Sequence, residues 1–76
     1  MKVYTVLIAE NHVKLVSRIG QTIWNKDFAA PPDTNVLFQD IRDFLKIRGE
    51  RIRSIYKLDS GISVPNVTKY MVISVC

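Results

Sequence analysis

The chain has 76 residues, 47% of them hydrophobic, with eleven basic and seven acidic side chains for a net charge of +4. That suffices for one folded domain with a small core; it excludes a disordered tail, a second domain and a deep substrate pocket. The single cysteine, Cys76, has no internal partner for a disulfide, and no apolar run approaches the roughly 18 residues of a membrane-spanning helix.

The opening MKVYTVLIAENH lacks the apolar length and the small-residue cleavage site of a signal peptide. With a lone thiol, the expectation is a soluble cytoplasmic protein without membrane contact. VYTVLIA (residues 3–9) is rich in β-branched residues and too short for a buried helix, so it reads as a strand. Val3, Thr5 and Leu7 alternate with Tyr4, Val6 and Ile8, and both sets are apolar, as in a central strand covered on both sides. Glu10, Asn11 and His12 suit a turn.

Residues 12–24, HVKLVSRIGQTIW, admit two readings. As a helix, Leu15, Val16, Ile19 and Ile23 form a stripe with Asn11 as N-cap, but Gly20 would cost about 1 kcal/mol in its middle. As a strand in a hairpin, the segment uses its many β-branched residues, and this reading is preferred. NKDFAAPPDT (residues 25–34) is a loop, since Pro31 and Pro32 fit neither a helix interior nor a sheet interior.

NVLFQDIRDFLKIRG follows, with Leu37, Ile41, Phe44, Leu45 and Arg48 at helical spacing. The pattern predicts a helix over residues 35–48, started by Asp33, Thr34 or Asn35 and stopped by Gly49. RIRSIYKL (residues 51–58) reads as a strand, with Ile52, Ser54, Tyr56 and Leu58 on one face. Turns are expected at residues 59–61 and 65–66, and TKYMVISVC (residues 68–76) is a last strand, apolar on both faces. The fold class is therefore α+β: a small single-domain mixed sheet of about four strands with one main helix. The order β-β-α-β-β, with first and last strands central, is β-grasp-like; if residues 12–24 are helical it becomes β-α-α-β-β.

Catalytic chemistry finds no support. The glycines, at 20, 49 and 61, cannot form a phosphate-cradling loop, and His12 and Cys76 have no partners at metal spacing. Asp40 and Asp43 stand one helical turn apart, but two carboxylates are too few for a metal cage and fit a solvated helix face better. The protein is expected not to be an enzyme and to use no cofactor and no metal.

One stretch stands out. KIRGERIRSIYK (residues 46–57) holds five of the eleven basic residues and a single acid, Glu50; six basic and six acidic residues remain outside it, so this window carries the whole net charge. Alternation would place Arg51, Arg53 and Lys57 on one side of a strand, in a stripe ~20 Å long, with Lys46 and Arg48 just before it. Such a row is a solvated edge, a contact for an acidic protein, or a phosphate-binding surface. Against nucleic acid, alternation sends Tyr56, the one ring in the stretch, to the opposite face, and Ile55 sits within the cationic row. A second signal is the doubly apolar first and last strands, since one helix covers one face only. The loop at residues 24–32, with Trp24 and Phe28 as plugs, or another protein chain, including a second copy in a homodimer, would cover the other. The expectation is a small basic, non-catalytic protein-interaction module of viral or mobile-element type, an inhibitor or regulator of a larger macromolecule; the source is a prior for small proteins of this kind, not a reading of these residues. The alternative is a nucleic-acid-binding protein using Arg51, Arg53 and Lys57.

Overall fold

Strand alternation and one amphipathic stripe build the molecule. The computed structural model describes residues 1–58 and 67–76. In chain order the elements are β1 (Lys2–Ala9), β2 (His12–Ser17), β3 (Thr22–Asp27), α1 (Thr34–Ile47), β4 (Arg51–Leu58) and β5 (Val67–Val75). They form a five-stranded sheet in the order β3-β2-β1-β5-β4, antiparallel at every pairing. The α+β class and the central, adjacent first and last strands follow the expectation. The sheet itself has five strands instead of four, and it is antiparallel throughout, not mixed.

The fifth strand comes from residues 12–24, which turn back on themselves. Gly20, at φ +86°, supplies the left-handed backbone of that turn, and its amide donates to the Ser17 carbonyl at 2.9 Å. The strand after it runs on to Asp27, into the segment whose composition reads as loop. As an edge strand it half-buries only Ile23 and Trp24, and its other residues are exposed.

Helix α1 begins one residue earlier than expected, with Asp33 as N-cap accepting the Asn35 amide at 2.8 Å. It ends on Arg48, and Gly49, at φ +78°, takes the left-handed position after it. Leu37, Phe38, Ile41 and Leu45 are buried, whereas Phe44 is half-buried at the margin. They pack on Tyr4 and Val6 of β1, Val13 and Leu15 of β2, and Val72 of β5. Each fully buried aliphatic side chain here is worth about 1.5–3 kcal/mol of transfer free energy. Helix and core residues therefore define one face of the sheet, the helix face. The turns expected at residues 59–61 and 65–66 lie outside the described residues.

Candidate functional site

The register of β4 on β5 decides what the basic stretch can present. Directly opposed residues of an antiparallel pair project to the same face. Arg51 opposes Val75, Ile52 opposes Ser74, Ser54 opposes Ile73, Ile55 opposes Val72, Tyr56 opposes Met71 and Lys57 opposes Tyr70. Arg53 is the extra residue of a bulge between Ile52 and Ser54, which shifts the alternation by one position. Ile52 and Ile55 accordingly both join the helix side and pack on the core. Lys57 follows them to that side, while Arg51 and Tyr56 project to the other. Arg51, Arg53 and Lys57 do not form one stripe.

The remaining candidates disperse as well. Lys46 is exposed in the last turn of α1. Trp24 and Phe28 pack against the helix-side core, with the Trp24 ring 6.4 Å from Phe44 and Lys26 Nζ 4.8 Å from the Phe28 ring centre. They do not cover the opposite face of the sheet, because Trp24 opposes Leu15 on β2 and so projects toward the helix. Asp40 and Asp43 take separate partners, Lys26 at 2.8 Å and Gln39 at 3.0 Å. Among the described residues no group of three His, Cys, Asp or Glu side chains could hold a metal, and no helix is long and apolar enough to cross a membrane.

Opposite the helix lies a face that no described element covers. Its central rows, read across the pairings, are Val16, Thr5, Met71 and Tyr56, then Val3, Ile73 and Ser54. Leu7 and Leu58 extend it toward one end and Val75 toward the other. Tyr56 is 50% exposed and Leu58 39%. Among the described residues the charges at these rows are cations: Lys14 and Lys69 on either side of Leu7, and Arg51 beside Val75. Asp27, at the far corner, is engaged by His12.

At the basic end of the molecule the one acid of the stretch is buried. Glu50 is 3% exposed, and its Oε1 accepts the hydroxyls of Tyr4 and Ser74, each at 2.7 Å. Its Oε2 faces Arg48 Nε at 3.4 Å and Lys2 Nζ at 3.7 Å. Burial pushes the carboxyl toward protonation, but the hydrogen bonds from Tyr4 and Ser74, the Lys2 charge and the Arg48 hydrogen bond outweigh it and hold Glu50 below the ordinary glutamate range. Burial and the bond to Glu50 push the Tyr4 hydroxyl up to about 12.

In front of this cluster is a cleft of about 390 Å³, lined by residues from the start of β1, the β2–β3 turn and Arg48. Lys2, Arg18, Glu50 and Tyr4 are absent from the contacts that sequence pattern suggests, since Lys2 and Arg18 lie far from the basic stretch in the chain. The one available signal was Ile55 inside the supposed cationic row, which marks a break in alternation. Comparison with family models, with curated proteins and with solved structures finds no match to this chain.

Proposed function

We propose that the chain is a small non-catalytic interaction module that docks an acidic protein through the helix-free face of its sheet, and so inhibits or regulates a larger macromolecule. The observation that carries this reading is the composition of that face: rows that are apolar except for Thr5 and Ser54, with Tyr56 and Met71 side by side, and with Lys14, Lys69 and Arg51 toward their ends. An apolar centre with a polar rim is the anatomy of a protein–protein contact, and a cationic rim selects a partner whose matching rim carries carboxylates. A second copy of the chain fits less well, because it would bring the same cationic rim against its own.

One observation favours the second reading, nucleic acid. The bulge at Arg53 puts Tyr56 on the same face as Arg51 and Lys69, so a ring and cations do share a surface. Tyr56 is the one aromatic side chain among the described residues of that face, however, where a strand of bases would need successive stacking platforms.

The test is affinity capture with the wild-type protein, with Arg51→Glu/Lys69→Glu, and with Arg42→Glu on the exposed side of α1 as control. The expected result is an acidic protein retained by wild type and control and lost by the double variant. Equal retention by all three would overturn the proposed face. A steep log-linear loss of affinity with salt, together with retained nucleic acid, would move the function to the second reading.

A further inference from the structure

We propose that the cleft at the basic end is a binding site for a small organic anion, a carboxylate or phosphate group carried on an apolar body. It meets the helix-free sheet face only at Val3 and does not depend on a partner docking there. Its cations come from three distant segments: Lys2 from β1, Arg18 from the β2–β3 turn and Arg48 from the end of α1. Among the described residues no carboxylate lines it. Glu50 stands behind, and its two oxygens already serve Tyr4, Ser74, Arg48 and Lys2.

The charge balance is therefore positive. Glu50 offsets one of the three cations. The carbonyl end of α1 adds about half a negative charge, which leaves more than one unit uncompensated. Arg48 spends its Nε hydrogen on Glu50, and its two terminal nitrogens take no acceptor among the described residues. Lys2, at 3.7 Å from Glu50, is beyond hydrogen-bond distance and retains its donors. Arg18 is exposed and makes no ion pair among the described residues.

The turn that presents Arg18 is held by its own bonds. The Gln21 carbonyl accepts from the Ser17 amide at 2.8 Å, the Gln21 amide donates to Ser17 Oγ at 3.2 Å, and Gly20 closes the turn. The remaining lining is the Tyr4 side chain, already bonded to Glu50, and four apolar residues, Met1, Val3, Ile19 and Ile23. Ile19 is 85% exposed and Met1 79%, an unfavourable arrangement for large apolar side chains that a ligand body would cover. The volume lies within the range of small-molecule sites, about 300–1,000 Å³.

Phenyl phosphate and benzoate, titrated into isotope-labelled protein and followed by amide chemical shifts, test the assignment. Inorganic phosphate and benzyl alcohol supply the head alone and the body alone. The expected result is saturable binding of at least one of the two aryl anions, with shifts confined to residues 2–4, 17–23 and 48, and weaker binding of both half-probes. Arg18→Gln, which breaks no hydrogen bond or ion pair among the described residues, should weaken the aryl anion by about tenfold, the worth of one charge-assisted hydrogen bond. Lys14→Gln, on the far face, should change nothing. Absence of saturation with both aryl anions overturns the proposal, as do shifts spread over Lys14, Lys26 and Lys69. Unchanged affinity in Arg18→Gln overturns it equally.

Discussion

Tyr4 donates its hydroxyl proton to Glu50 across 46 positions of sequence, at 2.7 Å and between two buried side chains. The bond ties the middle of the first strand to the residue that leads out of the helix into β4. Ser74 completes the tie from β5, so three elements of the sheet meet at one carboxylate. The bond also has a pH signature.

Glu50 binds its proton less readily in the folded protein than in the unfolded chain, and Tyr4 holds its proton more tightly. As pH falls below the ordinary glutamate value of 4.5, the unfolded chain takes up a proton first, so the stability supplied by Glu50 is lost toward acid. As pH rises from 10 to about 12, the unfolded tyrosine releases its proton first, and the contribution of Tyr4 is lost toward alkali. Thermal melts across pH should show both limbs in wild type. Tyr4→Phe should lose the alkaline one and cost about 1.5–3 kcal/mol at neutral pH, as for a hydrogen bond to a charged group. Identical alkaline limbs in both proteins would remove Tyr4 from that role.

Truncations along α1 should rank by depth, not by side-chain size. Ile41 is fully buried under the sheet, and Ile41→Ala should cost about 2–5 kcal/mol. Phe44 is half-buried against Trp24 and Arg48, so Phe44→Ala should fall below the roughly 3–5 kcal/mol of a fully buried ring. Urea unfolding followed by Trp24 fluorescence measures both, and a larger loss at Phe44 would contradict the packing described.

Gly49 tests the end of the same helix. A Cβ there would meet open space, yet φ is +78°, where a side chain is strained. Gly49→Ala should cost about 1 kcal/mol from backbone conformation alone, and a neutral result in the same unfolding measurement would argue that the helix ends differently.

The exposed rim of the sheet should be silent in stability. Arg51→Glu and Lys69→Glu alter half-buried or exposed side chains without an ion pair among the described residues, so their effect should stay within about 0.5 kcal/mol. A large loss of melting temperature in the double variant would make these residues part of the fold and undo their use as docking probes.

Local pattern carried the helix: its stripe, its Asp33 cap and its Gly49 stop are all close in sequence, and each is a consequence of helix geometry. The doubly apolar patterns of Val3–Ile8 and Met71–Val75 likewise revealed the centre of the sheet. The edge strand escaped because TIWNKD has two half-buried residues and four exposed ones, a pattern indistinguishable from a loop. The bulge escaped because alternation assumes one residue per rung, and only the pair Ile52 and Ile55, three apart and both facing the core, betrays the extra one. The cleft was the least legible feature. Lys2, Arg18 and Arg48 become neighbours only once β1, the β2–β3 turn and the end of α1 have assembled, and no local pattern encodes that meeting.

The sheet order carries a consequence for synthesis. Its adjacent inner strands, β1 and β5, are the earliest and latest of the described strands in chain order, and their pairing joins Tyr4 to Val72 and Lys2 to Ser74. Until residues 67–75 emerge, the hairpins of β1, β2 and β3 have a bare inner edge, and β4 has no strand beside it. Long-range pairing of this kind closes in about milliseconds to seconds, and until β5 emerges the nascent chain carries an open row of backbone donors and acceptors along β1. An open strand edge of that length is a template for other chains, and slowed translation of the last strand should therefore raise aggregation more than the same delay placed within α1.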